Sequence, residues 1–339
     1  MGQTEIKNDL PFEVGVLHLA GRDGVPVAVA VIKATYSIQS AGLVLAEMQQ
    51  RIFYAGEPYG EPGKSSYRHE PECAYFKPCT DVILVAAAIS PRRAATHVEV
   101  DFSVGHLRKA ALVFGDRFWY RGFTDPHLVG PEPFHEIPLI YERSFGGWDR
   151  SHPDANRHTF DRRNPLGRGF QTKFASDEDL LPLPNVESPD DLITDMRSRP
   201  SPVGFGFISP DWQPRAALAG TYDEAWTANQ MPALPLDFDF RFFNAASPGL
   251  VANGYLTGNE LVSVTNCSER GVLSFTLPSV PPPCCWFRLA RQSRLTLQSR
   301  LDTLVVNTVD GIVTLTWRCH VPVPCGPEQL LRLRVLRGQ

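Results

Sequence analysis

Residues 305–317 read VVNTVDGIVTLTW. Two runs rich in β-branched side chains flank Asp310-Gly311, a pair that turns easily because Gly adopts positive φ without steric cost. This stretch predicts two antiparallel strands joined by a type I′ turn. Further strands are expected around it at 261–264, 272–277, 285–289, 295–297, 303–307 and 312–318, all short, apolar and bounded by turn residues. Beyond Pro324 the run EQLLRLRVLRG reads either as a last strand or as a short basic helix.

The N-terminal third has the same texture. Residues 25–38 (VPVAVAVIKATYSI) combine β-branched and aromatic side chains with partial alternation, and Gly42 marks a turn before residues 43–46. Residues 82–89 form a continuous apolar run, as expected of a strand buried on both faces. Residues 98–104 alternate, and 109–120 hold a strand that breaks at Gly115-Asp116-Arg117. Thirty prolines and 26 glycines among 339 residues leave few stretches long enough for a three-turn helix. The chain is therefore expected to be mainly β: antiparallel sheets in a sandwich-like arrangement, with long ordered loops and few short helices. Three segments follow: an N-terminal β region at 11–130, a loop-rich central segment at 131–248 packed on the β framework, and a C-terminal β region at 249–339. These can equally form one continuous domain. Residues 189–196 are expected to supply a helical turn or two.

Apolar residues make up 43% and charged residues 21%, ordinary for a packed globule. The net charge of −4 guarantees no basic surface, so nucleic acid is not an expected partner. Residues 1–11 are polar, without the basic start and apolar run of a secretory signal. No apolar run approaches the roughly 20 residues that span a bilayer. A cytoplasmic location without membrane association is expected. The seven cysteines then read as free thiols, several of them buried. Cys73 and Cys79 are six apart, as are Cys319 and Cys325, wider than the usual zinc-ligand spacing. No metal and no cofactor is expected.

Recurrent catalytic patterns are missing: no G-x-S-x-G elbow, no H-E-x-x-H helix and no phosphate-binding glycine loop. Asp237-x-Asp239 would place two carboxylates on one strand face, where they can share a proton or pair with arginines such as Arg215 and Arg241. His152 and His158 fall near Asp161 without the spacing of a metal site. The central segment is distinguished by its aromatic and Arg content: Arg143, Phe145, Trp148, Arg199, Trp212, Arg215, Tyr222 and Trp226 are its candidate partner-binding residues. Trp, Tyr and Arg are enriched at binding hot spots. The same side chains can fill an irregular core, and both readings stand at this point.

Several phrases in fixed order carry a family resemblance. They are Lys33-Ala34-Thr35-Tyr36; Lys77-Pro78-Cys79-Thr80-Asp81-Val82; Gly115-Asp116-Arg117 with Trp119; and Tyr141-Glu142-Arg143 leading into Phe145-Gly146-Gly147. Asn164-Pro165-Leu166-Gly167, Leu183-Pro184-Asn185, Gly220-Thr221-Tyr222-Asp223, Leu301-Asp302-Thr303 and Trp317-Arg318 continue the series. From about Pro11 to Arg318 the chain resembles domain-of-unknown-function family 2169, with a departure at residues 65–72. That resemblance implies a bacterial cytoplasmic adaptor or chaperone of type VI secretion. Such a protein stabilises an effector toxin and helps load it onto the spike protein. The family supplies no catalytic residues, and the chain is not expected to be an enzyme. The alternative reading is a hydrolase or carbohydrate-processing enzyme working through Glu187, Asp223, Asp237 and Asp239.

Overall fold

A computed structural model describes residues 4–90, 95–123, 125–175, 179–290 and 294–338. The fold is mainly β, built from several mostly antiparallel sheets, none closed into a barrel. A six-stranded sheet forms its centre. Its order is Glu13–Ala20, Pro26–Gln39, Ile312–Pro322, Arg300–Asn307 and Asp81–Val85, with Gly42–Leu45 added to Pro26–Gln39. Two strands from the C-terminal part of the chain therefore lie between N-terminal strands within one sheet.

Alternation along Pro26–Gln39 explains why nearly all of it is buried. Ala28, Ala30, Ile32, Ala34 and Tyr36 face the main core, while Val27, Val29 and Val31 face a second cluster with Leu17, Ile52 and Tyr75. The sequence therefore carries apolar side chains on both faces, and its period-two signal is weak.

A five-stranded sheet runs Val186–Glu187, Leu107–Phe114, His97–Val104, Leu261–Thr265, Val272–Thr276. In His97–Val104 the burial alternates cleanly, with Val98, Val100, Phe102 and Val104 inside. A four-stranded sheet runs Glu5–Asn8, Leu330–Leu336, Cys284–Leu289, Leu295–Gln298. The C-terminal run is thus a strand. Side chains from all three sheets meet in one hydrophobic core. Among the described residues no helix is long and apolar enough to cross a membrane. All seven cysteines are free thiols, Cys267 and Cys285 being buried.

Three local expectations need correction. The connection between Arg300–Asn307 and Ile312–Pro322 has four residues, since Asn307 pairs with Ile312. Within it Gly311 has positive φ and Asp310 does not, so it is not a type I′ turn. The Asn307 side chain takes over instead: its Oδ1 accepts from the Asp310 backbone N–H at 2.9 Å. Residues 189–196 form no helix. The Ile193 N–H donates to Glu187 and the Thr194 and Asp195 N–H groups donate to Ser198 Oγ, diverting the backbone from helical partners. The run 82–89 divides after Val85, with Ala87–Ile89 leaving the main sheet to pair with Glu136–Pro138.

Four ion pairs tie strands and loops together. Lys33 pairs with Glu72 at 2.8 Å and Lys77 with Asp81 at 2.7 Å. Arg215 pairs with Glu70, and Arg318 with Asp302. Four cations thus face four carboxylates, and apart from the half-buried Glu72 all are buried. Such charges are tolerable only when paired and hydrogen-bonded. Asp81 also accepts from Asn244 Nδ2 and from the Ala245 N–H, which ties the central segment to the main sheet. The space among these groups is only about 20 Å³, too small for an organic ligand.

Candidate functional site

An open groove lies between the loop at residues 56–67 and the turns at 147–150 and 165–167. It consists of two adjoining hollows of about 230 and about 530 Å³, which share Gly63, Pro165 and Leu166.

Each wall is fixed by local chemistry. In the first loop Ser65 Oγ accepts from the Gly60 N–H and donates to the Glu61 carbonyl, both at 2.9 Å. The Ser66 N–H and hydroxyl both donate to the Glu142 carboxylate, at 2.6 and 2.8 Å, anchoring this loop to the turn at Tyr141–Arg143. The opposite wall depends on buried Asn164, whose Nδ2 donates to the carbonyls of Tyr141 and Phe145 at 2.7 and 3.0 Å. Gly147 closes the turn with φ +91°, and a Cβ there would lie 2.2 Å from the Gly167 carbonyl oxygen. Only glycine meets both demands. The FGG and NPLG phrases of the sequence are therefore two halves of one structure.

Leu166 and Trp212 line the floor and pack with buried Tyr141 and Ile208 in a small cluster behind it. Trp212 stands edge-on to Tyr141, with ring centroids 5.3 Å apart. At the rim, Trp148–Asp149 pairs antiparallel with Thr159–Phe160, setting Trp148 opposite Phe160. Their rings lie 4.6 Å apart, and both remain exposed. The Arg150 guanidinium lies over the indole at 5.4 Å and, among the described residues, makes no ion pair.

Of the eight candidate residues, the groove gathers Trp148 at its rim and Trp212 in its floor. Phe145, Trp212 and Arg215 are buried in the unbound chain, and of these three only Trp212 also lines the groove. Phe145 packs on Phe170 beneath Arg163 and Arg199, and Arg215 donates to the carbonyls of Ile208 and Phe242 besides pairing with Glu70. Arg143 bonds Asp116 and Asn185. Exposed Arg199 lies over Phe170 and donates to the carbonyls of Met196 and Ser198. Tyr222 and Trp226 form a separate patch, rings 4.7 Å apart, beside the six-residue helix Glu224–Asn229 that Asp223 caps. Sequence reasoning missed Lys64, Arg150, Phe160 and Leu166, because two-residue strands and tight turns carry no periodicity.

The four carboxylates of the enzymatic alternative hold separate structural posts. Buried Glu187 pairs with Arg117, and Asp223 accepts from the Trp226 N–H at 2.8 Å. Asp237 accepts from the Thr221 N–H and hydroxyl, which hold its carboxyl below the usual range. Asp239 opens the 3-10 helix Phe240–Phe243 and pairs with Arg241, which lowers its pKa likewise. Asp237 and Asp239 therefore do not lie on a strand. They share a shallow depression that neither Asp223 nor Glu187 lines. Among the described residues no group of three or more His, Cys, Asp or Glu is placed to hold a metal ion.

Fold and groove together define a β-framework protein with one fixed, aromatic-rimmed groove built from its loops. The chain belongs to the family described as uncharacterized protein conserved in bacteria (DUF2169), which matches residues 23–318. No curated protein and no solved structure matches it.

Proposed function

We propose that this chain is a protein-binding adaptor whose partner docks at the groove. In the setting its family resemblance implies, the partner is an effector toxin that the adaptor stabilises in the cytoplasm and passes to the spike protein of a type VI secretion system. One observation carries the reading: the exposed Trp148–Phe160 pair with Arg150 stacked on it, at the edge of a groove whose walls are hydrogen-bonded in place. Exposed aromatic rings and a guanidinium without an ion pair among the described residues, on a rigid frame, are side chains of the kind that dominate interface energetics. Walls already ordered before binding also reduce the entropy lost on association.

The test is deletion of the gene in a strain carrying the secretion cluster, with effector abundance and secretion both measured. Loss of either, restored by the wild-type gene and not by the Trp148→Ala, Arg150→Glu double variant, is the expected result. Unchanged effector level and secretion would overturn the reading.

A further inference from the structure

We infer that the groove takes an extended, proline-containing peptide segment with an acidic residue at its Trp148 end. This rests on the adaptor reading and names the chemistry its site selects. The lining points to such a segment in two ways. Prolines 58, 62 and 165 and the rings of Tyr67, Trp212 and Trp148 line the two hollows. Grooves lined by aromatic rings receive polyproline-type segments, whose backbone is already extended and loses little entropy on docking. Gly63 and Gly167 add backbone surface without side chains to block it.

Charge sets the direction. Arg150 is an exposed cation without a carboxylate among the described residues, and Lys64 beside it is held only by a solvent-exposed pair with Glu61 at 3.0 Å. Exposed pairs of this kind are weak and exchange readily for a better partner. Asp211 lines the other hollow, its carboxylate accepting from Ser209 Oγ. The groove is thus cationic at the Trp148 end and anionic at the other.

An aromatic platform also suits a sugar ring, but a sugar needs free hydrogen-bonding side chains beside it. Here Ser65 and Ser66 are committed to Glu61 and Glu142, and Ser209 to Asp211. Among the described residues that line the groove, Arg150 is a cation without an ion pair, and its guanidinium matches a carboxylate in geometry and charge.

A random-peptide display library selected on the intact protein, with the Arg150→Glu protein as counter-target, tests this directly. Expected are enriched sequences combining Pro with Asp or Glu. The best of these, labelled and titrated by fluorescence anisotropy, should lose about tenfold or more in affinity to Arg150→Glu and to Trp148→Ala. Replacing its acidic residue by Lys should restore binding to Arg150→Glu. Equal melting temperatures of the variants exclude unfolding as the cause. Selection of no peptides, of peptides indifferent to Arg150, or binding of oligosaccharides on a glycan array instead would each overturn the inference. Should that happen while the effector still co-purifies with the chain, the peptide assignment falls and the adaptor reading stands. Failure of effector co-purification and secretion alone would sink the adaptor reading and leave the peptide site in place.

Discussion

Trp148 and Trp212 line one groove, yet solvent reaches 41% of the first and 5% of the second. Their truncation should separate accordingly. Trp212→Ala removes a buried indole from its contact with Tyr141 and should cost about 3–5 kcal/mol in urea unfolding. Trp148→Ala should stay within about 0.5 kcal/mol of wild type, as substitutions of exposed residues usually do. A marked loss from Trp148→Ala would mean the rim is structural. His69 offers a pH-dependent counterpart. Its ring is buried, stacks on Phe53 at 4.2 Å and lies near Lys33 and Arg68, so its pKa is lowered to about 4, burial being the larger cause. The unfolded chain binds this proton near pH 6.5 and the folded chain only near 4. Between those values the unfolded state holds more protons, so the contribution of His69 is intact above pH 6.5 and is lost as pH falls toward 4. The loss should amount to roughly 2 kcal/mol, allowing for the part of the ring that solvent reaches. Urea titrations from pH 7 to pH 4 should show a steeper decline for wild type than for His69→Asn. Equal slopes would contradict this.

At the scale of elements, the groove stands on its glycine turn and the sheets on their ion pairs. Gly147→Ala places a methyl against the Gly167 carbonyl at positive φ and should destabilise by more than about 1 kcal/mol. It should also abolish partner binding through loss of the wall; a variant that folds and binds normally would show that the turn does not set the groove. Asp302→Asn leaves buried Arg318 without its countercharge and should cost about 3–5 kcal/mol, measured by chemical denaturation. A cost under about 1 kcal/mol would mean that the network tolerates imbalance. These elements were unequally legible in the sequence. Most strands of the three sheets could be read because burial of a face imposes pattern on several residues at a time, as in Leu261–Thr265 and Pro26–Gln39, whereas Glu5–Asn8, Glu13–Ala20 and Val186–Glu187 were missed. The helix Glu224–Asn229 was missed, being six residues long; its one signal was Asp223 three residues before Trp226, the spacing of an N-cap. The split after Val85 was also invisible, since both pieces are buried and apolar alike.

For the whole molecule, the phrases that carry the family resemblance divide into two structural jobs. Lys33, Lys77, Asp81, Asp302 and Arg318 come from four phrases, most of them far apart in sequence, and meet in the buried charge network. The phrases around Phe145-Gly146-Gly147 and Asn164-Pro165-Leu166-Gly167 interlock to build the groove wall. A sequence displays both as isolated polar or glycine-rich words, because many of the contacts that give them meaning are long-range, as between Lys77 and Thr303, 226 residues apart. The rim residues Arg150 and Phe160 belong to neither set of words, which is why the candidate surface read from sequence included buried Phe145 and Arg215 and omitted them. The central claim is that the groove, with Trp148 and Arg150 at its edge, is where an effector docks. The most direct measurement is co-purification of the chain with the proposed effector, wild type against the Trp148→Ala, Arg150→Glu double variant. A stoichiometric complex for wild type, reduced at least about tenfold in affinity for a double variant of unchanged melting temperature, is the expected result. An equally tight complex with the double variant would contradict it.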